Sequence, residues 1–299
     1  MHEKNTSEKS YNLHEHHIIE NYQTDKEKII ETIKNENHFG YWKYTTLINV
    51  IQPLFEKDDK WLTIGDFYGL DAHYIKKHNI EVIASDLSDV ILSELSKEGY
   101  IGEYRAENVE NISLENNSLE YVFCKEAFHH FPQAYLGLYE MLRVSKKGIV
   151  FIEPLDVLTK MPLLLFLKNV LDRFNPYLIN KIWKNRFSWE VVGNYVFKIS
   201  EREVEKIAMG IGLPCIAFKK MNILHFKEQF SITPLSKKIL RKAKVKIGIR
   251  NFISYLKIIP YNALSSIIFK EMPNESVLKK LKDEGYIVIK LPENPYIKK

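Results

Sequence analysis

Residues 61–86 read WLTIGDFYGLDAHYIKKHNIEVIASD, and this stretch decides the fold. A short apolar run, 61–64, meets a turn bracketed by Gly65 and Gly69. A helical pattern follows over 71–77, and a second apolar run, 81–85, closes in Asp86. Working downstream, the same alternation continues: a helix over 89–97, an extended stretch over 102–106, a strand over 119–124, a helix over 132–142 and a strand over 148–152. Strands separated by helices at this spacing need crossover connections, which predicts a doubly wound, mainly parallel α/β sheet with helices on both faces.

Upstream, Tyr44, Leu47, Ile48, Ile51, Leu54 and Phe55 recur at helical spacing, predicting an amphipathic helix over 41–55 that stops near Pro53. Residues 1–38 are polar and read as a mobile arm running into that helix. After Asp156 the alternation stops. Residues 200–211 read as a helix with a capping box, Ser200 with Glu203, ended by Gly212 and Pro214. The expected organisation is a polar arm (1–38), a ligand-binding α/β domain (39–156) and a lid with a basic substrate-binding extension (157–299).

Composition narrows the function classes. The two cysteines, Cys124 and Cys215, lack the grouping that a disulfide framework or zinc site needs, so no metal is expected and a reducing cytoplasm is the natural compartment. Residues 1–9 lack the apolar core of a secretion signal, and no apolar run is long enough for a membrane span. The net charge of +5 hides an asymmetry: residues 1–156 hold 16 Lys/Arg against 27 Asp/Glu (−11), and residues 157–299 hold 27 against 11 (+16). A basic half attracts anionic partners by its long-range field.

In a doubly wound sheet the ligand lies beyond the carboxyl ends of the strands, and the first strand-to-helix turn comes closest to it. Gly65 and Gly69 let backbone approach there. Asp86 sits where an acid accepts both hydroxyls of a ribose; the competing role is to cap the next helix.

With these residues in place, the chain resembles the class I S-adenosylmethionine-dependent methyltransferases of the small-molecule group, over residues 62–156. "LTIGDFYG", "IEVIASDLSD" and above all "YVFCKEAFHHFPQAYLGLYEMLRVSKKGIVFIEP" carry the likeness. The resemblance implies a Rossmann-like fold and S-adenosyl-L-methionine as cofactor. It assigns Gly65, Asp66 and Gly69 to the cofactor's methionine part, Asp86 with Leu87 to the ribose, and Glu107 or Asn108 to adenine. Lys125 and Glu126 would line the cofactor or acceptor. His129, His130 and Glu153, at the ends of the fourth and fifth strands, are the candidates for a catalytic base. This chain departs from the family pattern at Thr63, where an acid is usual, and at Phe67, where a glycine is usual. Asp66 is therefore expected to meet the cofactor's amino group in place of the missing acid.

The expected reaction is O-methylation of a small or glycan acceptor, plausible for polysaccharide biosynthesis. A second reading is a noncatalytic binding module with Phe67 closing the cofactor pocket. A third is an RNA methyltransferase, which no recognisable RNA-binding module supports. A dinucleotide fingerprint, a phosphate loop, H-E-x-x-H and G-x-S-x-G are all missing from the sequence. The aromatic residues Phe166, Phe174, Tyr177, Trp183, Phe187 and Trp189 suggest a lid, with Lys181, Lys184 and Arg186 beside them for an anionic acceptor. The stretch KKILRKAKVK at 237–246, followed by apolar 252–259, reads either as a solvated helix or as a peripheral contact with the inner face of a membrane.

Overall fold

The computed structural model describes residues 3–156, 161–175, 177, 189, 194–224 and 232–296. In chain order the elements are α1 (Glu3–Lys34), α2 (Phe39–Ile48), β1 (Lys60–Ile64), α3 (Leu70–Lys77), β2 (Glu81–Asp86), α4 (Val90–Lys97), β3 (Tyr104–Ala106), β4 (Leu119–Lys125), α5 (Ala134–Val144) and β5 (Ser145–Pro154). There follow α6 (Pro162–Phe174), α7 (Glu201–Gly210), β6 (Cys215–Met221), α8 (Lys237–Tyr255), β7 (Ala263–Phe269), α9 (Glu275–Asp283) and β8 (Ile287–Lys290). The eight strands form one sheet in the order β3-β2-β1-β4-β5-β7-β6-β8. The pairs among β1–β5 are parallel, and β7, β6 and β8 join by antiparallel pairing.

Period-two alternation within the strands builds a core on each face of this sheet. Trp61, Val82, Tyr121, Phe123 and Val150 point into one layer, with Ile29 and Ile33 of α1, α2 to α4, and Val277 and Leu281 of α9. Leu62, Ile83, Val122, Ile149 and Phe151 point into the other, with α5 and α7. The helix expected at 200–211 is present, and its capping box is made as read: Ser200 Oγ accepts from Glu203 N, and Glu203 answers Ser200 N at 2.7 Å.

Three sequence expectations differ from the structure. The polar arm is a long helix, α1, whose C-terminal turns are anchored by buried Ile29, Thr32 and Ile33. The helix expected over 41–55 ends at Ile48 and tightens into a 3-10 turn over 49–54, because Pro53 has no N–H to continue an α-helix. The boundary expected at Asp156 does not divide the sheet, since β6, β7 and β8 extend it and bury Ile216, Ala217, Ile267 and Ile268 in the two layers shared with β1–β5.

Gly148 shows how tightly β5 and β7 meet: a Cβ there would stand 2.3 Å from Ile268 O and 3.2 Å from Phe269 Cα, both backbone atoms of the partner strand. Gly148→Ala is expected to cost about 1–3 kcal/mol by overpacking. Gly210→Ala, at the end of α7 with nothing within 4 Å, is expected to be neutral or slightly stabilising. Thermal unfolding of the two variants checks this; equal melting temperatures would show that β7 yields.

Candidate active site

The strand order reverses between β1 and β4, which places the ligand crevice beyond their carboxyl ends. Gly65 opens the turn after β1 at φ +67°, and a Cβ on it would lie 2.4 Å from Ala127 Cβ in the loop after β4. The two loops therefore close on each other only because residue 65 is glycine. Gly69, at φ +60°, starts α3, and its missing side chain makes room for Leu95.

Asp66 turns inward, contrary to the amino-group role expected for it. Its carboxylate accepts from Thr63 Oγ1 at 3.0 Å and from the N–H groups of Asp71 at 3.1 Å and Ala72 at 2.8 Å, capping the first turn of α3. Burial, with Asp71 close by, holds its pKa well above the usual carboxylate range. A carboxyl so engaged is a poor partner for an ammonium, and the Thr63–Asp66 pair works as a brace. Lys125 is likewise committed inside the protein: its Nζ lies 3.5 Å from Asp71 Oδ1 and 4.1 Å from the centre of the Tyr44 ring. Burial opposes its charge, yet Asp71, Glu126 and Asp66 outweigh burial and raise its pKa. Tyr44 completes the cluster by donating to Asp71.

Asp86 ends β2 as a buried carboxylate held by the amides of Leu87 and Ser88, with no charged group beside it among the described residues. Burial pushes its pKa up to about 7, and the two amides pull it back only in part. Leu87 next to it is half-buried. Of the two adenine candidates, Glu107 is turned inward, accepting from Ser113 N at 2.8 Å and Ser113 Oγ at 2.5 Å. Asn108 stays half-exposed, its Oδ1 accepting from Glu110 N at 2.9 Å.

At the end of β5, Glu153 has no exposed side-chain surface. Its Oε1 accepts from the N–H groups of Ala127 and Phe128, both at 2.9 Å, and its Oε2 lies 2.6 Å from His129 Nδ1. With Nδ1 donating to the carboxylate, the basic nitrogen of His129 is Nε2. His130 stacks beside it at 4.0 Å between ring centres. Thus His129 and Glu153 form a dyad in which the carboxylate orients the ring, while Glu153 itself is too enclosed to act on an acceptor.

Two residues of the site have no signal in the sequence around the glycine turn: Tyr44 and Lys43 come from α2. Lys43 is half-buried, and burial lowers its pKa against the opposing pull of Glu126. Glu126 is exposed and takes φ +51°, unusual for a residue with a side chain, at the tip of β4. Of the lid candidates, Trp183, Phe187, Lys181, Lys184 and Arg186 lie outside the described residues. Phe166, Phe174, Tyr177 and Trp189 are exposed.

Residues 62–152 match the family model of the methyltransferase domain. No curated protein matches the sequence. Among solved structures, the [4+2]-cyclase SpnF aligns at a TM-score of 0.50 and 11% identity, covering 77% of this chain and 81% of that one. A SAM-dependent methyltransferase from Archaeoglobus fulgidus aligns at 0.46 and 14%, covering 76% and 94%. A Haemonchus contortus phosphoethanolamine N-methyltransferase, in complex with phosphomonomethylethanolamine and S-adenosylhomocysteine, aligns at 0.48 and 16%, covering 82% and 57%. At such identities the likeness concerns the fold, and the presence of a cyclase among these proteins shows that the fold does not fix the reaction. Residues 62–152 therefore match the methyltransferase-domain model, and they lie in a sheet whose fold is shared with these solved structures.

Proposed function

We propose that the chain methylates an oxygen of a small or glycan acceptor that bears negative charge, with His129 as the general base. The observation that carries this reading is the 2.6 Å contact between Glu153 Oε2 and His129 Nδ1. A hydroxyl acceptor must lose a proton as the new carbon–oxygen bond forms, and a neutral imidazole with its basic nitrogen fixed at Nε2 suits that task. The anionic acceptor rests on the +16 charge of residues 157–299.

S-adenosylmethionine, when bound, supplies an electrophilic methyl on a sulfonium. The residues present fit such a cofactor. Gly65 lets the turn after β1 close on Ala127 without a side chain between them, and Asp86 presents a buried carboxylate with no side-chain partner among the described residues. Asp86 and Leu87 would hold the ribose, Asn108 the adenine, and the backbone of the Gly65–Gly69 turn the methionine part. Glu126 and Lys43 place one charge of each sign at the tip of β4 and suit the amino and carboxylate groups. Phe67 packs into the core layer of α1 to α4, 4.4 Å from the Tyr68 ring, which favours this reading over a binding module closed by Phe67.

Glu153→Gln keeps the grip on the Ala127 and Phe128 amides but presents a donor to His129 Nδ1, forcing the other tautomer. A fall in kcat of about 10²–10⁴ with little change in cofactor affinity is expected. Unchanged turnover would remove the base assignment and leave alignment alone to explain transfer.

Calorimetric titration with S-adenosylmethionine and S-adenosylhomocysteine tests the cofactor site, and Asp86→Ala is expected to weaken both by at least about tenfold. The pH dependence has a definite sign. Ribose hydroxyls donating to Asp86 favour its charged form, so binding is linked to loss of a proton from a group at about 7. Affinity should rise as pH increases through about 7 and then level off, with proton release visible as a buffer-dependent binding heat. Asp86→Asn should flatten the profile; a flat wild-type profile would mean that Asp86 does not meet the ligand.

A further inference from the structure

We propose that α8 is a docking face for an anionic lipid bilayer, a role separate from methyl transfer. This helix carries Lys237, Lys238, Arg241, Lys242, Lys244, Lys246 and Arg250 and no acidic residue. Its inner face is settled: Ile239, Ala243 and Ile247 pack on Phe39 and Trp42 of α2 and on Leu224. On the opposite side, spaced by three or four residues, Lys238, Arg241 and Lys242 lead into Val245, Ile249 and Phe252. Ile249 and Phe252 are 56% and 62% exposed, and Ile258 just beyond the helix is 67% exposed. The helix therefore has two apolar faces, one packed and one bare, and the bare one runs out of a cluster of cations.

Charge pairing separates this face from ordinary lysine-rich surface. Lys60, Lys77, Lys147 and Lys219 each meet a carboxylate. Among the described residues, the six cations from Lys237 to Lys246 meet none. A groove of about 860 Å³ lies along them, basic at the Lys238 end and apolar toward Ile249, Ile253 and Ile259. Unpaired cations followed by exposed aliphatic and aromatic side chains match the headgroup and acyl zones of an anionic membrane surface. A nucleic acid would use the cations and leave Val245, Ile249 and Phe252 in water.

The topology gives the face its place. β7 begins at Ala263, a short loop after α8, and Ala263 pairs with Pro154 at the carboxyl end of β5. The helix thus leads into an interior strand at the end of the sheet where β5 finishes, the end on which the candidate active site lies. From that end of the sheet also leads α6, which has no buried residue and exposes Leu163, Phe166, Leu167, Val170 and Phe174 at helical spacing. No helix among the described residues is long and apolar enough to cross a membrane, so contact through these helices would be peripheral.

The test is co-sedimentation of the full chain with phosphatidylcholine vesicles, alone or carrying about one third phosphatidylglycerol. Binding should require the anionic lipid and weaken with salt. Replacing Lys238, Arg241 and Lys242 together by Ala should lower partitioning about 100-fold. Ile249→Ser with Phe252→Ser should lower it about tenfold or more with the charges intact. All five positions are exposed, so unchanged circular dichroism and cofactor titration of the variants would separate lost docking from lost fold or lost cofactor site. Equal binding to neutral vesicles, absence of vesicle binding, unchanged binding by the triple variant, or displacement from vesicles by RNA would each overturn the proposal.

Discussion

A buried carboxylate must find donors or lose its charge, and Glu153 finds them in the loop that follows a neighbouring strand. Its two oxygens take the amides of Ala127 and Phe128 and the ring of His129. This ties the end of β5 to the loop after β4, and Glu126 N, bonded to Ile152 O at 2.9 Å, repeats the tie through backbone. Ala127, held in that way, sets the floor against which Gly65 closes. The turn after β1, the start of α3 and the position of His129 thus share one anchor. Removing the carboxylate's charge alters ring orientation first, while removing its shape would release the loop.

Around this anchor one group of polar side chains is locked together inside the protein. Asp71 is met by Tyr44 and Lys125, while Asp66 beside it takes Thr63 and the amides of Asp71 and Ala72, so two buried acids, one buried cation and two hydroxyls are held together. Such a cluster fixes geometry more surely than it adds stability, because desolvation offsets much of the attraction. Asp86, Asn108, Glu126 and Lys43 stand outside it. Asp86 is the most informative of these, since burial pushes its carboxylate up to about 7 and, among the described residues, only the Ser88 and Leu87 amides answer it.

The parallel half of the sheet was legible because each strand is a dense apolar run punctuated by a turn and a helix of characteristic period. The positions of Asp86 and His129 after β2 and β4 were legible for the same reason, since each follows an apolar run that ends in a turn. The antiparallel strands β6, β7 and β8 were not, because each is separated from its partner by a long segment without repeating pattern. The length of α1 was hidden as well: few apolar residues in its last turns reach the core, and the rest of the helix is polar. Asp66 was misjudged because an acid in a glycine turn has two physical uses, meeting a ligand and capping the helix behind it, and sequence does not rank them. Lys43 and Tyr44 reach the site from a helix packed over it, which only the tertiary fold reveals.

The charge asymmetry takes on a different meaning once the positions are known. A net excess spread over a surface is solvated and screened within about 10 Å at moderate salt, with little consequence for partners. Here the excess is concentrated, since α8 holds seven cations and no acid, whereas Lys219 and Lys220 of β6 each have a carboxylate within 4.0 Å. Concentration on one helix keeps the field directional. The same helix connects into β7, which starts beside Pro154 at the carboxyl end of β5, so the concentrated charge belongs to an element joined to that end of the sheet.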